Sequence, residues 1–277
     1  MRIEYKILTG RLLIKIIKKR RLKIRIFHTF AKRKKFSENL KFMGIYENWS
    51  AEIKKFENPV KAKILQGFFK TGKGEYGEGD IFIGATIPQI RSLTKKFRDA
   101  PYSEILKMLE SPFHDFRLSG MLVLVEKFER DENERKNVVD FYLENTKHIN
   151  NWDLVDLTCY KILGVYTLNG HREILEKLSD STNFWEQRIA IVSTMKHVKN
   201  GDFALTLKFA EKYLNHTEPL IHKATGWLLR EVGKKNIITL LNFLNTHASK
   251  MPRTALRYAI ERLNPEQKRH YMSIKRG

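Results

Sequence analysis

The 277 residues carry 52 Lys and Arg against 31 Asp and Glu, a net charge of +21, with 42% hydrophobic residues. A chain of this length buries a large core, in one elongated domain or two compact ones, and its charge excess points to a polyanion, either nucleic acid or an anionic membrane surface. The single cysteine, Cys159, excludes an intramolecular disulfide and any multi-cysteine zinc site.

Residues 1–36 hold 14 of the basic side chains against one acid, Glu4. In 11–27 apolar and basic residues partly alternate, as in a half-buried strand or a basic amphipathic helix. The apolar runs are too short and interrupted to span a bilayer, and no apolar stretch followed by a small-residue cleavage site marks a secretory signal. Residues 1–43 are therefore expected to be a flexible or loosely packed basic arm. It either adds non-specific DNA affinity or is an extension without a fold of its own. Residues 44–277 are expected to form the folded domain.

From Glu47 the pattern is helical. Asn58-Pro59 is an N-cap followed by proline at the first helical position, opening a helix through Phe69. The Gly-rich stretch 71–80 is a connection; it lacks the Lys-Ser or Lys-Thr ending of a nucleotide loop. Residues 81–84 read as a short extended piece, and Pro88 opens a helix through Phe97. Further helices are expected at 103–110, 113–129, 133–146, 152–164, 171–178, 184–198, 202–214, 218–232, 236–248 and 253–262, with no sheet in the body. Starts at Phe113, Trp152, Trp185, Pro219 and Pro252 are spaced by 39, 33, 34 and 33 residues. Two helices per unit at this period predict an all-α chain, an α-solenoid of tandem HEAT-like hairpins with a curved, basic concave surface.

The second helix of each pair mixes aromatic and basic residues: Trp152, Asp153 and Asp156; Trp185, Gln187 and Arg188; His222, Lys223, Trp227 and Arg230; Arg253 and Arg257. Cations at successive helix starts could follow a phosphate backbone. Each has a plainer reading. Trp185 lies in an apolar run and fits a core. Arg188 could pair with Asp153 or Asp156, and Asp153 could serve the start of its helix. Asp156 lies a full turn in, where capping explains it less well. Cys159 reads as a buried thiol. The nine histidines show no metal-ligand spacing, so no metal is expected.

Five segments carry a resemblance: FFKTGKGEYGEGDIFIGATIPQIR (68–91), NNWDLVDL (150–157), FWEQRIAIVST (184–194), LIHKATGWLLREVGK (220–234) and MPRTALRYAIERL (251–263). In this order they resemble the AlkD-type DNA alkylation-repair family of HEAT-like proteins. The resemblance implies a DNA glycosylase that removes cationic alkylated purines, N3-methyladenine and N7-methylguanine, without a cofactor; with no lysine placed by motif as a Schiff-base nucleophile, it is expected to be monofunctional. It implies a catalytic set of Asp156, Trp152, Trp227 and Arg188, with Arg188 on the DNA backbone near the lesion. Phe68 would stand where the family can carry a tyrosine. Phe68, His222, Lys223, Arg230, Arg253 and Arg257 are then expected to contact DNA. The expected partner is duplex DNA with alkylated bases, bound by a monomer in the cytoplasm or on the nucleoid, without a membrane. The alternative is a non-catalytic HEAT-like protein that binds distorted or branched DNA, or a protein-binding scaffold. The basic arm departs from the family pattern.

Overall fold

The computed structural model describes residues 44–275, and the basic arm lies outside them. The chain divides after Trp49 into two units, and the solenoid lies in the second, from Ser50 onward. Helix α1 (Ile45–Lys54) crosses that division. Then come α2 (Pro59–Phe68), α3 (Ile87–Phe97), α4 (Tyr102–Leu109), α5 (His114–Arg130) and α6 (Arg135–Glu144). The middle of the chain holds α7 (Trp152–Asp156), α8 (Cys159–Tyr166), α9 (Glu173–Ser179), α10 (Phe184–Ser193) and α11 (Met195–Lys199). The C-terminal part is α12 (Ala204–Lys212), α13 (Pro219–Lys235), α14 (Ile237–His247), α15 (Arg253–Ala259) and α16 (Pro265–Ser273).

The protein is all-α, an α-solenoid of helix pairs; the described residues hold no strand, only an isolated bridge between Ile81 and Phe113. That bridge falls in the segment expected to be extended. The helix starts follow their local chemistry. Asn58, Asn151, Asn183, Asn236 and Asn264 each accept a backbone N–H with the side-chain oxygen, removing one orphan donor of the first turn. Thr86 and Gln89 form a reciprocal capping box.

Two expected helices are broken. The one over 152–164 stops at Asp156 and restarts at Cys159, and the one over 184–198 stops at Ser193 and restarts at Met195. A threonine sits at each break. The Thr158 hydroxyl donates to the Leu154 carbonyl at 2.5 Å and the Thr194 hydroxyl to the Ile191 carbonyl at 2.6 Å, competing with the helical ladder. The first break leaves Asp156 on the last turn of a short helix. Helix α16 lies beyond the expected set, although Asn264-Pro265 with Gln267 is a capping-box start.

Helices α5, α8, α10, α13 and α15 touch one another in order, while α4, α6, α9, α12 and α14 each pack on a member of that row. The row is therefore enclosed by neighbours, and Leu124, Ile162, Ile189, Leu228 and Leu256 are fully buried. Spacing within the row is close. A Cβ at Gly226 would run into the Ala255 carbonyl oxygen and stand 2.5 Å from the Tyr258 Cβ. Gly226→Ala is expected to push α13 from α15 and to cost about 1–3 kcal/mol, as overpacking does; a thermal or urea melt would read the loss.

Candidate active site

A cleft of 380 Å³ opens beside the row. It is lined by Phe68, Lys70, Tyr76, Trp152, Asp156, Arg188, Leu220, Lys223, Trp227, Arg230 and Tyr258. Four side chains from three helices (Trp152 and Asp156 on α7, Arg188 on α10 and Trp227 on α13) thus share one cavity.

Arg188 holds the floor. Its Nε donates to Asp156 Oδ1 at 3.0 Å and its Nη2 to Oδ2 at 2.8 Å, a bidentate pair. Its Nη1 donates to the Leu220 carbonyl at 2.5 Å, which ties α10 to the start of α13. The guanidinium is buried and its three nitrogens are occupied. This is the carboxylate pairing that the plainer reading of Arg188 anticipated, with the guanidinium turned to Asp156. The Asp156 side chain keeps 17% of its surface exposed, so one edge meets the cleft. Burial raises its carboxyl above the ordinary range, and the Arg188 charge and hydrogen bonds counter part of that rise.

Trp152 is fixed by an aromatic column. It stacks on Phe69 at 5.1 Å and meets Phe68 edge-on at 5.9 Å. Phe69 stacks on Phe82 at 5.1 Å, and Phe82 on the His114 ring at 4.5 Å. Phe68 is largely exposed at the cleft edge. Trp185 is buried, as its apolar run suggested, and meets Tyr76 edge-on at 6.0 Å. Cys159 is buried, and burial pushes its thiol far up.

The expected DNA contacts fall into two groups. Lys223 and Arg230 line the cleft; Arg230 also pairs with Glu261 and lies 3.6 Å from Glu231. His222, Arg253 and Arg257 do not line it. His222 Nε2 bonds the His216 carbonyl at 2.5 Å. Arg253 donates to the carbonyls of Ile274 and Met272 at 3.0 and 2.6 Å, which ties the start of α15 to the last turn of α16 and the residue after it. Arg257 is exposed on α15.

Sequence reasoning missed Tyr76, Lys70 and Tyr258 in the cleft, and a buried polar cluster beneath it. Tyr76 stands on the Gly-rich connection, which is pressed against the site. A Cβ at Gly77 would come 2.6 Å from the Phe69 carbonyl oxygen and 3.2 Å from the Asn151 amide. That close approach is what the glycine permits. In the buried cluster, His114 lies between Asp80 (3.1 Å) and Asp153 (2.8 Å), and Arg117 donates to Asp80 at 2.5 Å and to Asn150 at 3.1 Å.

A family model described as DNA alkylation repair enzyme matches residues 49–263. A solved structure, a predicted DNA alkylation repair enzyme from Enterococcus faecalis, is similar at TM-score 0.59 and 18% identity, over 76% of this chain and 97% of that one. At that identity the likeness speaks for the fold. No curated protein matches.

Proposed function

The chain belongs to the family of DNA alkylation repair enzymes, and we propose that within it this protein is a monofunctional DNA glycosylase acting on cationic alkylated purines, N3-methyladenine and N7-methylguanine, in duplex DNA. The observation that carries the proposal is the Asp156 carboxylate, held at two points by Arg188 on the floor of a cleft walled by Trp152 and Trp227.

An N-alkylated purine is already charged, so its departure needs no proton from the enzyme. As the C1′–N bond breaks, its electron pair goes to the base and positive charge develops on the deoxyribose. Asp156, facing the cleft, stabilises that charge and accepts a proton from the water that adds to C1′. The indole faces of Trp152 and Trp227 favour a nearby cation by about 0.5–2 kcal/mol each. Lys70 and Lys223 at the rim, with Arg230, suit phosphates of the damaged strand. No residue here needs a cofactor, and no lysine is placed as a Schiff-base nucleophile by its motif. No helix among the described residues is long and apolar enough to cross a membrane. We place the protein, as a monomer, on DNA in the cytoplasm.

Lesion choice tests this reading. Free 3-methyladenine and 7-methylguanine should be released, while neutral lesions such as uracil should stay; equal release of neutral bases would overturn it. Tight, salt-sensitive DNA binding with no base released would favour the non-catalytic alternative. Trp227→Ala is expected to slow single-turnover excision about tenfold, the loss of roughly one cation–π contact, and to lower the melting temperature as well, because much of the ring is covered.

A further inference from the structure

His114 stands at the first turn of α5 with 2% of its side chain exposed, and both of its ring nitrogens face carboxylates. Nδ1 is 3.1 Å from Asp80 Oδ2, at the end of the Gly-rich connection. Nε2 is 2.8 Å from Asp153 Oδ2, in the first turn of α7. A neutral imidazole carries one N–H and one lone pair, and would set that lone pair against a carboxylate oxygen. Only the imidazolium donates to both. We propose that His114 is a positioning residue of the active site, a buried imidazolium that clamps the Gly-rich connection to the Asp156 helix and screens Asp156 from the charge of Asp153. This rests on the glycosylase reading for its catalytic consequence, but not for the clamp itself.

In this form the charges of the cluster balance. The cluster holds two carboxylates, Asp80 and Asp153, and two cations, His114 and Arg117. Asn150 closes it, donating to Asp80 at 3.0 Å and accepting from Arg117. The neighbouring Asp115 is turned away and accepts from the backbone of Ile83 and Ala85 at 2.8 and 3.0 Å. Burial opposes the charge on His114, but the Asp153 charge and the hydrogen bonds to both aspartates outweigh it and raise the imidazole to about 9. The same contacts hold Asp80 below its usual value against its burial. Phe82 stacked at 4.5 Å gives the cation an aromatic face.

Asp153 and Asp156 lie three positions apart on one short helix. An unscreened Asp153 favours the neutral form of Asp156, since like charges oppose each other's ionisation. The other groups facing Asp156 are Arg188 in direct contact, the buried Tyr142 and Cys159 and, around the cleft, Tyr76, Lys70, Lys223 and Arg230. Of these, only Tyr76 stands on the connection that His114 holds. The connection that Asp80 anchors carries Tyr76, a wall of the same cleft, so one imidazolium sets both the charge of the floor and the place of one wall.

Two measurements test the proposal. Long-range proton–nitrogen NMR of the wild-type protein should show both His114 nitrogens protonated at pH 8. A neutral ring there would overturn the clamp, whether or not the protein excises bases. Single-turnover excision against pH should then show the acid limb of His114→Gln moved upward by about one unit, the size of a close like-charge interaction. Asp153→Asn in that background should bring the limb back. An unmoved limb in folded His114→Gln, or a double variant no closer to wild type, would show a merely structural histidine. If His114→Gln is recovered only unfolded, Asp153→Asn alone decides: its limb should move downward, and an unmoved limb overturns the screening. Absence of excision by the wild type would instead sink the glycosylase reading and leave the NMR result standing.

Discussion

Replacing Asp156 by asparagine should lower single-turnover base release by about 10²–10³-fold or more, the scale seen when one group facing a developing charge is removed. Asparagine keeps the size of the side chain and can still meet Arg188 through its carbonyl oxygen, so folding and DNA binding should persist. The wild-type rate should also depend on pH in a defined sense. Asp156 works as the carboxylate, and burial raises its pKa, so excision should fall with acidity at a pH above the ordinary carboxylate range. A rate that stays flat through that range would show that Asp156 need not be ionised.

Arg188 carries the second large effect. Arg188→Ala removes three donors and leaves the Asp156 carboxylate without its counter-charge, and the Leu220 carbonyl without its partner. Breaking a buried ion pair costs about 3–5 kcal/mol; the open edge of Asp156 places this site near the lower end, about 3 kcal/mol. Excision should drop about 100-fold through misplacement of the carboxylate. Arg188→Lys should restore the charge but not the two-point hold, so a clear defect in turnover should remain while part of the stability returns. Full activity in the lysine variant would mean that charge alone is required. Chemical denaturation and single-turnover excision, run on both variants, separate the two contributions.

Much of the solenoid is legible in the residues. The Asn-Pro and Thr-Ile-Pro starts, the pairing of helices at a repeat near 33 residues and the lack of strand patterning are local signals, and local hydrogen bonding decides them. The breaks at Thr158 and Thr194 are not legible, because a threonine inside an apolar helical run is common and its back-bond to a carbonyl is a choice of rotamer. The Trp152–Asp156 face is visible from helical spacing. Its meeting with Arg188 and Trp227 in one cavity follows from stacking of the repeats, which periodicity predicts only in outline. The direction of the Arg188 guanidinium, toward Asp156 and not outward, depends on the short distance between α7 and α10. His114 escapes a sequence reading because its partners lie 34 and 39 positions away in the chain, and no spacing rule joins them. The Arg253 contacts are long-range in the same way: its guanidinium donates to carbonyls of α16 and the residue after it, 19 and 21 positions on.

The most direct measurement is a mass balance on a duplex carrying one 7-methylguanine, incubated with the wild-type protein. Free 7-methylguanine should appear in one-to-one ratio with abasic sites, with the strand uncut until alkali is added. A lesion bound tightly but left intact, or a strand cut without release of the free base, would contradict the account.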